Sequence, residues 1–235
     1  MTRPKIVSNN EWLEARKRHL KQEKEFTRLR DRLSAARREL PWERVDKDYV
    51  FDGPAGQQSL AELFAGRGQL MVYHFMFDPE WEAGCKSCSF WADNFDGIGA
   101  HLAARDVTFA AISRAPLPKL QAFAKRMGWS FPWYSSFGSD FNFDYHVSFR
   151  PEDLAKGWVI YNYERRETKM TELPGLSVFA KDETGAVCHT YSCYSRGLDM
   201  LNGAYHHLDL TPKGRDEKGL PYPMDWVRLH DMYGK

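Results

Sequence analysis

Apolar residues recur along the chain at two alternating spacings, one helical and one extended. From about Asn10 to Leu40 they fall at Trp12, Leu13, Leu20, Phe26, Leu29, Leu33, Ala36 and Leu40 on a charged background. That spacing predicts one long amphipathic helix, broken at most once. Asn9 or Asn10 is placed to cap it and Pro41 to end it; residues 1–8 read as a flexible leader. Tyr49 to Phe51 reads as a strand before a Gly/Pro turn, and Ser59 as the cap of a short helix, LAELF. Leu70 to Phe77 is a continuous apolar run of strand length, suited to a strand buried on both faces. Phe90 to Ala104 is helical in pattern through Trp91, Phe95, Ile98 and Leu102.

Val107 to Ile112 is the next buried strand. An amphipathic helix follows through Leu120, Phe123, Ala124 and Met127, with Gly128 as its end, and Phe131 to Ser135 is extended again. Strands alternating with helices in this order predict two βαβ units and a parallel sheet. Residues 136–172 are polar but rich in aromatics, among them Phe141, Tyr145, Phe149, Trp158, Tyr161 and Tyr163. That is too aromatic for disorder, so they read as a folded insertion. Leu176 to Lys181 and Ala186 to Tyr194 predict a hairpin around Asp182–Gly185, and a last helix runs from Gly197 through Leu198, Leu201 and Tyr205. The resulting organisation is an N-terminal helical arm over 1–41, an α/β domain over 42–207 carrying the insertion at 136–172, and a C-terminal tail over 208–235 that packs on the domain.

Composition narrows the partners. The 235 residues are 43% hydrophobic and 28% charged with a formal net charge of +1, which suits one generous domain with an arm and offers no electrostatic pull toward nucleic acid or a membrane surface. No run approaches the ~18 apolar residues of a membrane span. The opening MTRPKIVSNNEW lacks a secretory apolar core, so the expected location is cytoplasmic. The basic residues of the arm read as a solvated face paired with Glu14, Glu23, Glu25 and Asp31. Its apolar stripe suits docking on the domain or on a second subunit, as in a homodimer.

In a reducing compartment the four cysteines are poor evidence for structural disulfides. Cys85-Lys86-Ser87-Cys88 sits between the buried run and a helix start. There, backbone N–H groups favour the thiolate of the first cysteine, and the second is close enough to form a disulfide with it. Zinc is the other use of such a pair. Cys188 and Cys193 would complete four thiolates, but a separation of five in a predicted strand puts them on opposite faces. His74 reads as a core histidine. His189, His206 and His207 lack metal spacing, so no metal and no cofactor is expected. The acids Asp78, Glu80 and Glu82 read as a polar loop, or as a proton acceptor beside the thiols.

Together the fragments SLAELFAGRGQLMVYHFMF, GCKSCSFWADN, PGLSVFAKDETG, HTYSCYSRGLD and LDLTPKGRDE resemble one bacterial family, domain of unknown function 899, predicted to be dithiol-disulfide oxidoreductases. The resemblance implies an α/β thioredoxin-like fold of the peroxiredoxin-related branch, a three-layer sandwich with an N-terminal helical extension and an aromatic-rich insertion. It implies Cys85 as nucleophile and Cys88 as the more buried resolving thiol. Pro174 matches the cis-proline that thioredoxins place opposite the disulfide, which would offer the backbone of Leu173 to a docked substrate; Gly175 departs from the residue usual after that proline. Trp81, Lys86, Ser87, Leu173 and Pro174 are thus the expected substrate-binding residues, and the substrate a thiol or disulfide, protein or small molecule. Two alternatives stay open: a peroxiredoxin-like peroxidase, and a non-catalytic binding domain with a structural or zinc-bound pair. Against the first, the Pro and Thr or Ser that precede a peroxidatic cysteine are replaced, counting from Cys85, by Asp78 and Glu82.

Overall fold

The structure, a computed structural model, describes residues 4–234; the first three residues of the expected leader lie outside that range. The chain divides into two compact units, one up to Pro41 and one from Trp42 onward. The first is a single unbroken helix, α1 (Asn9–Arg38). Its cap is Ser8 rather than an asparagine. The Ser8 hydroxyl accepts from the Glu11 N–H at 3.3 Å, and the Glu11 carboxylate accepts in return from the Ser8 N–H at 3.1 Å, a reciprocal box that satisfies two otherwise orphaned donors. Arg16 pairs with Glu23 at 2.7 Å and Lys17 with Glu14 at 3.0 Å. None of its residues is buried.

Among the described residues the second unit holds ten strands: β1 (Glu43–Arg44), β2 (Val50–Gly53), β3 (Gly56–Ser59), β4 (Gln69–His74), β5 (Val107–Ser113), β6 (Trp133–Ser135), β7 (Val159–Tyr161), β8 (Glu164–Arg166), β9 (Gly175–Lys181) and β10 (Val187–Tyr194). Its helices are α2 (Lys86–Ala92), α3 (Gly99–Ala103), α4 (Leu117–Met127), α5 (Phe141–Asp144), α6 (Pro151–Leu154) and α7 (Gly203–Asp209). Eight strands form one sheet in the order β1-β10-β9-β4-β5-β6-β2-β3. At its centre β4 runs parallel to β5, with Gln69 opposite Val107 and His74 opposite Ile112, and antiparallel to β9, with His74 opposite Gly175. A strand–helix–parallel strand unit, followed by an antiparallel hairpin beside the first strand and a closing helix, is the thioredoxin-like arrangement, and the chain adopts it.

Because β4 is central, both of its faces are apolar. Tyr73 points to the side where Trp91, Phe123, Met127 and Tyr205 of α2, α4 and α7 pack. Leu70 and Val72 point to the other, against Phe51, Leu63, Phe64 and Phe141. The layer on that second side is thin, made of α5 and a 3-10 turn at Glu62–Phe64 whose start is held by a Ser59–Glu62 box. The insertion packs Val147, Phe149, Val159 and Tyr161 into a small core with Leu173 and with Tyr194 of β10.

Three elements differ from the sequence expectation. The helix expected over Phe90–Ala104 is in two pieces: α2 starts earlier, at Lys86, and stops at Ala92, where the Asn94 side chain donates to the carbonyls of Phe90 and Trp91 at 2.9 and 3.1 Å and ends the ladder, and α3 resumes at Gly99. The last helix is split into a 3-10 segment, Ser195–Leu201, and α7, which Asn202 caps through the Tyr205 N–H at 3.0 Å. Strand β1, unmarked by any periodicity, pairs with β10 at the sheet edge.

Candidate active site

Chain entry to the dithiol is shaped by Gly84. A Cβ there would come within 2.7 Å of the Phe75 ring and 2.8 Å of the Phe123 ring, so only glycine lets the loop after β4 pass between them. Cys85 then sits at the N-cap of α2, its N–H donating to Met76 O at 3.1 Å. It is half-buried, whereas Cys88, one turn on, is 1% exposed. Cys85 and Cys88 are both thiols, not joined in a disulfide.

Electrostatics separate the two sulfurs. The Cys85 pKa is lowered from 9.0 to about 6, chiefly by the hydrogen bond from the Cys88 thiol and further by the backbone N–H groups of Cys88 and Ser87, which outweigh burial. Cys88 moves the opposite way: burial pushes its pKa well up, and the neighbouring Cys85 adds to this. The Met76 N–H donates to Cys88 Sγ at 3.4 Å, and the Tyr73 hydroxyl also hydrogen-bonds it. One sulfur is therefore held as thiolate near neutral pH while the other keeps its proton.

A cavity of about 640 Å³ opens beside Cys88. Ser87, Cys88, Leu173 and Pro174 line it together with Tyr161 and Tyr205, whereas Cys85, three residues before Cys88, is not part of the lining. Trp81 is not part of that lining; it is half-buried against the core, and its carbonyl accepts from Lys119 Nζ at 2.7 Å. Lys86 is drawn away from the sulfurs, with Nζ donating to Asp225 O at 2.9 Å and lying over the Tyr222 ring at 5.7 Å. Among the described residues no peptide bond is cis, so the bond before Pro174 is trans, unlike the thioredoxin expectation. Gly175 has a local cause: a Cβ would meet Tyr194 and Val147 at 2.9 Å.

Three features of the site escaped the sequence reading. Tyr161 is the first: its hydroxyl bridges Pro174 O and Ser195 N–H. Its only sequence signal was membership of the aromatic insertion. Second, the tail supplies Tyr222, Pro223 and Met224 to the cavity wall. Glu217 steadies it by accepting from Tyr205 Oη at 2.7 Å and from Met224 N–H and Trp226 Nε1 at 2.9 Å. Third, Asp78 is no loose loop acid. It is 6% exposed and bonds Arg114 at 2.6 Å, and the same guanidinium bonds Glu172. Burial pushes Glu172 up to about 7 against the pull of Arg114 and Ser148. This ion cluster joins the loop before Cys85 to the segment before Pro174.

Elsewhere, His74 Nε2 bonds Ser177 Oγ at 2.8 Å, Ser177 bonds Ser192 at 2.8 Å, and Ser192 bonds His189 Nε2 at 2.7 Å. Cys193 packs into the core on the dithiol side, and Cys188 sits on β10 near Ala186 O. Among the described residues no group of three or more His, Cys, Asp or Glu is arranged to hold a metal ion. No described helix is long and apolar enough to cross a membrane.

Over residues 1–233 the chain matches the family described as bacterial protein of unknown function, DUF899. No match is found among the curated proteins. Solved structures to which it is similar include peroxidoxin BcpB from Mycobacterium tuberculosis, at 15% identity over 69% of this chain and 93% of that one, with a TM-score of 0.44. A variant of Xanthomonas campestris peroxiredoxin Q is 13% identical over 74% of this chain and 94% of that one, with a TM-score of 0.42. A variant of Xylella fastidiosa PrxQ is 10% identical over 71% and 95%, with a TM-score of 0.43.

Proposed function

This chain belongs to the bacterial DUF899 family, of unknown function, and we propose that it is a thiol–disulfide oxidoreductase working through Cys85 and Cys88. The observation that carries the reading is the opposed tuning of the two sulfurs. Cys85 is pulled down to about 6 by the Cys88 thiol and backbone N–H groups, while Cys88 is pushed up by burial. Near pH 7 the Cys85 thiolate attacks a substrate disulfide, and the departing thiolate takes a proton from solvent. The Cys88 thiol then loses its proton and attacks Cys85 Sγ, releasing the second thiol and leaving a Cys85–Cys88 disulfide. A dithiol reductant restores the pair, in keeping with a reducing, cytoplasmic setting. The test is turnover of a disulfide substrate by the protein and by its Cys85→Ser variant. Loss of turnover in the variant is expected, and full activity in it would sink the proposal. A Cys88→Ser variant should accumulate the mixed disulfide on Cys85, visible as an added mass that a reductant removes.

The depressed Cys85 pKa favours one second reading, a thiol peroxidase. A peroxide oxidises the same thiolate to the sulfenic acid, and Cys88 condenses with it, expelling water. Stopped-flow oxidation by hydrogen peroxide separates the two. A rate no faster than that of a free thiol excludes the peroxidase.

A further inference from the structure

We infer that the dithiol acts on a small, carboxylate-bearing disulfide held in the cavity beside Cys88, and not on an extended polypeptide; this rests on the redox reading above and names its substrate class. The first observation concerns the backbone that borders the sulfurs. A polypeptide docking there as an added strand needs free N–H and C=O groups to pair with. At this edge the Leu173 N–H already donates to Val147 O at 2.8 Å, the Pro174 carbonyl already accepts from Tyr161 Oη at 2.7 Å, and Ser148 and Glu172 are bridged as in a ladder. Pro174 has no N–H to offer. The insertion thus occupies the positions that a docked chain would use.

The second observation is the size of the cavity and what walls it. About 640 Å³ lies within the ~300–1,000 Å³ of small-molecule sites. Its far wall is the tail segment Tyr222–Met224, and that segment is tied down: Glu217 holds the Met224 and Trp226 donors, and Lys86, inside the C-x-x-C loop, holds the Asp225 carbonyl. A small disulfide suits a cavity of this volume, whereas a folded protein would have to displace the tail.

The third is charge. Arg166, Arg196 and Arg215 line the cavity with Asp199, Asp209 and Glu217. Arg215 is committed to both aspartates, at 3.0 and 2.8 Å, and stacks on Tyr205 at 3.8 Å. Glu217 takes three donors on its Oε1. Arg196 is 86% exposed with one 3.3 Å contact to Asp199. Arg166 is exposed, its guanidinium over the Tyr161 ring at 5.3 Å. Both aspartates are paired with Arg215 and Glu217 is engaged through one oxygen, while two guanidinium groups are open, which favours a carboxylate on the bound molecule.

One turnover balances without a further reagent: one disulfide and the reduced dithiol yield two small thiols and the Cys85–Cys88 disulfide. The test is therefore a single-turnover reaction of the reduced protein with three disulfides of similar length, dithiodipropionate (anionic), bis(hydroxyethyl) disulfide (neutral) and cystamine (cationic), and with insulin. Each rate is divided by that of the same disulfide with free cysteine. Saturating kinetics are expected with dithiodipropionate, and a normalised rate about tenfold above the neutral compound, the size of one charge-assisted contact. Arg166→Gln, on an exposed side chain and so without risk to the fold, should remove most of that preference, bringing the normalised anionic rate down toward the neutral one. Charge-blind normalised rates, or insulin reacting faster than all three, would overturn the inference and leave the redox reading standing. If none of the four oxidises the dithiol, the redox reading itself fails and this inference with it.

Discussion

The hydroxyl of Tyr161 donates to the carbonyl of Pro174 at 2.7 Å and accepts from the backbone N–H of Ser195 at 2.9 Å. One buried phenol thereby joins the insertion, the lead-in to β9 and the end of β10, in the cavity that Cys88 also lines. Tyr161→Phe keeps the ring and strands two backbone groups. Stability should fall by about 1–3 kcal/mol, the cost of leaving buried polar groups unpaired. Urea unfolding at neutral pH measures it, and an unchanged midpoint would show that solvent satisfies both groups.

Cys85 should titrate near its lowered value of about 6. The largest cause is the Cys88 thiol, so Cys88→Ala should move the midpoint up toward the ordinary thiol value, with the backbone N–H groups retaining part of the shift. The pH profile of alkylation of Cys85 reads both midpoints. Equal midpoints in the two proteins would assign the effect to the backbone alone.

His74 is buried and its pKa is lowered from 6.5 to about 3, by burial first and by His189 second. Above 6.5 it is neutral in the folded and unfolded chains alike. As pH falls below 6.5 the unfolded chain binds a proton that the fold refuses, so stability drops down to about 3. His74→Asn keeps a polar partner for Ser177 and removes the titration. Its unfolding midpoint should depend less on pH over that window, and an identical slope would place the acid sensitivity elsewhere.

Arg114 serves two buried carboxylates, Asp78 and Glu172. Arg114→Met leaves both without their cation and should cost about 3–5 kcal/mol, as for other broken buried pairs. Arg114→Lys should recover only part of it, since an ammonium cannot present two separated N–H edges. Denaturant midpoints of the three proteins check the order. A methionine variant as stable as the parent would mean that Glu172 simply keeps its proton.

The readable parts of this fold share one property: their cause is local. Gly128 ends α4, the Leu70 run becomes β4, and C-x-x-C falls at a strand-to-helix junction, because each depends on residues a few places apart. The Ser8–Glu11 box is equally local, but the two asparagines beside it carry the same capping signal. The break after Ala92 was less visible, since Asn94 ends the helix with its side chain rather than with a glycine or proline.

What the order of residues alone could decide was the type and succession of elements, and the presence of two thiols at the end of a central strand. Burial and spacing along the chain suffice for that. The insertion closing the edge at Leu173, the tail walling the cavity and Arg114 joining Asp78 to Glu172 were decided only by folding. Their partners are far apart in sequence, 139 positions for Lys86 and Asp225 and 58 for Arg114 and Glu172. No periodicity encodes a contact of that range. It exists because buried polar groups must find partners once the sheet and its layers bring them together.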